Sequence, residues 1–149
     1  MGDLQSLYQS VIMDHNKHPR HYGLVDTYTH HAEGYNPICG DKIELQLELS
    51  DGRIRGIHFE AACCAICKAS TSMMADALSG QDLKRIPELQ GQVTGYLDGS
   101  LHPETDADAL PDDLSALAGV SQFPARVKCA QLPWQTLGKA LKSEGSDSN

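Results

Sequence analysis

From residue 43 to residue 50 apolar and polar side chains alternate: Ile43, Leu45, Leu47 and Leu49 against Glu44, Gln46, Glu48 and Ser50. A period of two predicts a strand with one buried and one wet face. Asp51-Gly52 closes it into a hairpin. The returning strand, Arg53 to Glu60, carries Ile57 and Phe59 in one phase and Ile54 in the other, which predicts a bulge near Gly56. Tyr28 to Glu33 is predicted as a short edge strand ahead of a turn over Gly34 to Asp41.

Elsewhere the period is helical. Asp3 to Lys17 is predicted as a helix capped by Asp3, with Leu4, Leu7, Tyr8, Val11 and Ile12 on one face and Pro19 as its stop. From Ala65 onward Ile66, Ala69, Met73 and Ala77 form a stripe that Gly80 terminates. A short turn leads to Pro87 and a helix that Gly91 and Gly95 weaken. Asp113 to Gly119 reads as a short capped helix after an acidic surface loop over Pro103 to Asp113. Pro124 opens the last long helix, with Val127, Leu132, Trp134, Leu137 and Leu141 on its buried side. Pro133 cannot donate the backbone bond to the Cys129 carbonyl, so a kink or break is expected there.

A chain of 149 residues is most simply one domain, expected over residues 1–142 with a disordered tail over 143–149. The formal net charge of −8 leaves no surplus of Lys and Arg to neutralise phosphates, which argues against nucleic-acid partners. No apolar run approaches membrane-spanning length and no signal pattern opens the chain, so a cytoplasmic location is expected.

The chemistry concentrates in the cysteines. Asn36-Pro37-Ile38-Cys39-Gly40-Asp41 offers a thiolate and a carboxylate two residues apart on a turn that Gly40 lets fold tightly. Cys63-Cys64-Ala65-Ile66-Cys67 and Cys129 supply further thiols. A Cys-x-Asp turn with cysteines from two distant segments provides three sulfurs and one oxygen, a set suited to a tetrahedral soft-metal site. Cys64 falls at a strand-to-helix junction, where free backbone N–H groups stabilise a thiolate and favour a ligand or a nucleophile. In a reducing compartment such clustered thiols are more often ligands or reactive groups than disulfides. His15, His18 and His21 straddle a helix end and share no face, so they are read as solvated or capping residues. Met73-Met74 is read as core filling.

Leu7-Tyr8, Val11 to His15, Pro19-Arg20, Asn36 to Asp41, Cys64-Ala65-Ile66, Ala69 to Met74 and Gly119 to Cys129 together resemble the NifU/IscU-type iron–sulfur assembly proteins over nearly the whole chain. The resemblance implies an α+β fold of the NifU/IscU-like kind, grouped as the SufE/NifU superfold: a small antiparallel sheet of about three strands covered by helices. It assigns the metal ligands to Cys39, Asp41, Cys64 and Cys129. The long segment between Gly80 and Val120, and Lys128 where the IscU branch carries His, point to the SufU branch. Members of that branch are zinc-containing sulfur acceptors that work with a cysteine desulfurase. By that resemblance a desulfurase histidine takes a zinc position, Cys39 accepts persulfide sulfur, and the sulfur passes to a downstream iron–sulfur scaffold. The protein would then be a sulfurtransferase-type accessory rather than a stand-alone enzyme.

Three thiolates and a carboxylate on zinc leave a formal charge of about −2. Lys128 and Arg126 are expected to offset it, with Arg126 gripping the carboxylate in two-pronged fashion. Two residues depart from the family pattern: Ala61-Ala62-Cys63 replaces Gly-x-Gly, and Cys67 stands where Ser is common. Cys63 and Cys67 are therefore auxiliary thiols. They either merely replace small residues, or Cys67 replaces a ligand, relays sulfur or pairs with Cys64. Two alternatives to zinc-dependent sulfur transfer stay open: a scaffold that builds an Fe–S cluster on the same ligands, and a Cys64-x-x-Cys67 redox protein. The last lacks the βαβ pattern of thioredoxin-like chemistry.

Overall fold

Strands β1 (His30–Asn36), β2 (Asp41–Ser50) and β3 (Arg53–Ala62) form an antiparallel meander in the order β1-β2-β3. The computed structural model describes residues 2–37, 40–100, 114 and 116–143, with side chains over residues 9–142 of these. Helices α1 (Gly2–Lys17), α2 (Ala65–Leu78), α3 (Ile86–Asp98) and α4 (Pro124–Ser143) complete the described elements, with 3-10 turns at Leu83–Arg85 and Ala116–Gln122. The fold is the expected α+β arrangement of a three-stranded sheet and helices.

The alternation in β2 sorts its faces as period two requires. Ile43, Leu45 and Leu47 are fully buried, and Leu45 and Leu47 lie opposite the buried Phe59 and Ile57 of β3. Gln46 belongs to the wet phase yet is buried, because its side-chain amide pairs both ways with the backbone of Val25. The bulge falls beside Gly56: Glu48 faces Gly56 and Leu49 faces Ile54, so Arg55 has no opposite residue and Ile54 enters the buried phase. Asp51 and Gly52 both take positive φ, as a two-residue hairpin turn requires. The free edge of β3 is covered by Gly23, whose N–H reaches Phe59 O at 2.7 Å, and by Gly80, whose N–H reaches Ile54 O at 2.8 Å.

β1 differs from the expected 28–33. It begins at His30 and continues to Asn36, pairing Gly34 with Ile43 and Asn36 with Asp41, which leaves Pro37 and Gly40 as the described turn residues. Gly34 is a packing residue, not a turn signal. A Cβ there would run into Thr136 Oγ1 and sit 3.2 Å from Leu132 Cδ1, so the glycine lets α4 lie against β1. The turn glycine is Gly40, at φ 76°, with its N–H on Asn36 O at 2.8 Å.

α2 is buried over more than the predicted stripe: Cys67, Ala69 to Ala75 and Leu78 are all buried, while Ile66 and Ala77 are only half-buried. Its buried hydroxyls are all hydrogen-bonded: Thr71 donates within the helix to Cys67 O at 2.8 Å, and the two serines pair outside it. Ser70 donates to Ala130 O at 2.8 Å and accepts from Trp134 Nε1 at 3.3 Å, tying α2 to α4. Ser72 Oγ lies 2.7 Å from His15 Nδ1 and accepts the Arg20 N–H at 2.8 Å, tying α2 to α1 and the segment after it. His15 is thus fully buried, which corrects its reading as a solvated or capping residue. Its position in the last turn of α1 hides this, because the burying partner lies 57 residues away.

α1 starts at Gly2, ahead of the expected cap Asp3, and the side chains of Leu4, Leu7 and Tyr8 lie outside the described set. α4 runs from Pro124 through the buried Pro133 without a break. The predicted helix over 113–119 appears as the buried Leu114 and the 3-10 turn Ala116–Gln122. The acidic loop over 103–113 and, beyond Ser143, the tail lie outside the described residues.

Gly34→Ala should lower the urea midpoint by an amount worth about 1–3 kcal/mol, the usual cost of overpacking. Adding Thr136→Ala should recover part of the loss. A Gly34→Ala variant of unchanged midpoint would remove the close approach of α4 as the reason for this glycine.

Candidate metal centre

The meander brings three distant chain segments to one end of the sheet. β2 begins at Asp41 directly after Gly40, while β3 ends at Ala62, one position off that end, since Lys42 pairs with Ala62. The chain then passes through Cys63 to Cys64, the N-cap of α2. Cys129, two turns into α4, is buried against Ile43, Cys67 and Leu132. The ligand atoms of Asp41, Cys64 and Cys129 all lie within 4.8 Å of one another. Cys39 lies outside the described residues.

Asp41 is 1 % exposed. Its Oδ1 accepts the Cys64 N–H at 3.1 Å, and Oδ2 is buried with no hydrogen-bond partner among the described residues. A buried carboxylate oxygen left unpaired is costly unless a cation or donor completes it. One such oxygen beside two converging sulfurs fits a borderline-soft divalent ion such as zinc. Cys64 takes extended backbone angles at the cap, φ −71° and ψ 169°, and its Sγ accepts the Cys67 N–H at 3.5 Å. The first turn of α2 therefore turns a backbone N–H toward this sulfur.

Arg126 is exposed at the start of α4, and its guanidinium is held charged above its ordinary range, first by the charge of Cys64 and then by a hydrogen bond with Cys129. It thus meets the two sulfurs in place of the expected two-pronged grip on the Asp41 carboxylate, whose Oδ2 has no partner. Lys128 is exposed and, with Tyr35 and Pro37, lines a shallow cavity of ≈ 190 Å³. Cys67 is fully buried and its thiol is pushed far up, foremost by its hydrogen bond to Cys63, then by burial and by the negative charge of Cys63, Asp41 and Cys64. It stays a neutral thiol. Cys63 and Cys67 do not join the converging trio, and neither do His15, His18 and His21.

Sequence reading missed the Asp41 to Cys64 N–H bond and the apolar floor of Ile43 and Leu132. The alternation marked Ile43 as buried, but nothing local shows that it lies under the cysteines.

A small α+β protein with a carboxylate and two thiols gathered where a strand start, a helix cap and a second helix meet is the class these observations define. Residues 7–130 match the NifU-like N terminal domain, and the chain belongs to that family. It is 38% identical over 147 residues to the zinc-dependent sulfurtransferase SufU of Bacillus subtilis strain 168, covering 98% of this chain and 97% of that one. It is 34% identical over 142 residues to the iron-sulfur cluster assembly scaffold protein IscU of Streptococcus pyogenes serotype M1, covering 95% and 87%. Among solved structures, the SUF-system protein FiSufU of Fervidobacterium islandicum AW-1 superposes with a TM-score of 0.81 at 31% identity, covering 92% of this chain and 98% of that one.

Arg126→Ala should weaken retention of a divalent ion by about ten- to a hundredfold, the usual effect of removing a group that supports metal ligands. Competition against a chelator measures it. Unchanged affinity would take Arg126 out of the site.

Proposed function

We propose that this protein is a zinc-dependent sulfur acceptor in iron–sulfur cluster assembly, working with a cysteine desulfurase and passing sulfur to a downstream scaffold. The observation that carries the reading is the convergence of Asp41, Cys64 and Cys129, with a buried Asp41 oxygen that has no hydrogen-bond partner among the described residues. The likeness to a zinc-dependent sulfurtransferase over nearly the full length of both chains supports it. Asp41, Cys64 and Cys129 are the ligands, with Cys39 as the fourth and as the sulfur acceptor. Bound zinc keeps the ligating sulfurs deprotonated while moderating their nucleophilicity.

In the transfer step the Cys39 thiolate attacks the outer sulfur of the desulfurase persulfide. A new S–S bond forms on Cys39, the donor's S–S bond breaks, and the donor cysteine leaves as thiolate. Asp41 contributes a harder and more exchangeable donor than a fourth thiolate. Arg126 balances the charge of the sulfurs that stay in place. No helix among the described residues is long and apolar enough to cross a membrane.

The likeness to an assembly scaffold supports a second reading, in which the same ligands hold a nascent Fe–S cluster. Metal analysis coupled to a desulfurase assay separates the two. Sulfur transfer predicts colourless, zinc-containing protein that stimulates desulfurase turnover, with the stimulation lost in Cys39→Ala even where zinc is retained. Brown protein from anaerobic reconstitution that hands on its cluster, without stimulating the desulfurase, would replace the first reading with the second.

A further inference from the structure

The last helix carries a charge pattern that the candidate centre does not use. α4 holds Arg126, Lys128, Lys139 and Lys142 and no Asp or Glu, in a chain whose formal net charge is −8. At about 100° per residue, Lys128, Gln131, Gln135, Lys139 and Lys142 fall within an arc of roughly 80°, so they form one stripe along the helix. Gln131 is half-buried and the other four are exposed. A solvated helix face ordinarily mixes both signs and pairs them one turn apart. No ion pair among the described residues involves this stripe. The Lys139 ammonium donates to a neutral acceptor, Glu33 O, at 2.7 Å.

The stripe is a ridge between two clefts. On the β1 side lies the cavity of ≈ 190 Å³ that Tyr35 and Pro37 line. On the α3 side lies a cavity of ≈ 400 Å³, with the buried Val93, Leu97 and Trp134 as its apolar floor and Gln90, Gln131 and Gln135 as its amide rim. Gly138 opens this second cleft, since a Cβ there would meet nothing within 4 Å. The stripe also reaches the candidate centre, because Lys128 directly precedes Cys129. An apolar floor beside a row of cations fits a segment that brings apolar side chains to the cleft and carboxylates to the ridge. Nucleic acid or an anionic bilayer extends beyond three lysines and meets the negative field of the whole chain.

We propose that this stripe of α4 is the docking surface for an acidic amphipathic segment of the sulfur donor, the cysteine desulfurase. The inference rests on the sulfur-transfer reading, and it adds where the donor is gripped outside the centre. A donor that brings its persulfide to the centre covers Lys128 first and continues about 21 Å along α4 to Lys142. The lysines speed its approach and fix its direction, and the cleft floored by Trp134 holds it after arrival.

Titration of the zinc-loaded protein into a cysteine desulfurase assay at low salt tests this, the readout being the concentration that gives half-maximal stimulation. Lys142→Glu and the near-isosteric Gln135→Glu should each raise that concentration about fivefold, and the difference should shrink at about 0.5 M salt. Gly138→Leu, which fills the α3 cleft, should raise it at both salt concentrations. Arg55→Glu, exposed on β3 across the sheet, changes the net charge as Lys142→Glu does and should leave it unchanged. Stripe variants that half-saturate where wild type does, or an Arg55→Glu effect as large as theirs, would overturn the stripe and leave the sulfur-transfer reading standing. Wild type that fails to stimulate the desulfurase at any salt overturns that reading, and the donor assignment with it. Phosphatidylglycerol vesicles that bind wild type but not Lys142→Glu, with half-saturation unmoved, would put a membrane surface in place of the donor.

Discussion

One partly buried hydrogen bond, from the Cys64 N–H to Asp41 Oδ1, joins the start of β2 to the cap of α2. A carboxylate this deeply buried must be compensated, and among the described residues only one of its oxygens has a partner. The bond orients the carboxylate so that its other oxygen stands with the sulfurs of Cys64 and Cys129. It also uses a backbone donor of the helix cap, so the position of the carboxylate is set by main chain rather than by a mobile side chain.

The surrounding fold makes that bond possible by holding its three segments rigidly. α2 is buried on nearly every side, and its hydroxyls reach α4 through Ser70 and α1 through Ser72. Such satisfied buried polar contacts specify how helices are aligned, because any slip leaves donors unpaired. Gly34 acts in the same sense at the other face, letting α4 approach β1 closely enough to carry Cys129 over the sheet end. Cys63, Cys64 and Cys67 pack in this region against Ile43, Cys129 and Leu132, so the start of α2 is held in place by the core.

Much of the fold was legible. The strict alternation of β2 identified its buried face, the phase change around Ile54 located the bulge, and Pro124 marked the start of α4. β1 was misplaced because its sequence is polar and because a glycine in a strand resembles a turn signal unless the helix beside it is known. His15 was misread for the same kind of reason: a polar residue in a last helical turn normally faces solvent, and only Ser72 shows that this one does not. Arg126 was assigned to the oxygen of the site when its partners are the sulfurs, since which side of the trio α4 approaches is not a local property.

The sequence by itself determined the donor types, the helical and strand periods and the family, because these depend on residue identity and on neighbours within a few positions. Which donors meet, which of two adjacent cysteines faces the carboxylate and which faces a buried thiol were decided only by tertiary structure. Those relations join residues such as Asp41 and Cys64, 23 positions apart, and they arise from β register and helix packing. A shift of one residue in a strand would turn each side chain to the opposite face while leaving every motif unchanged.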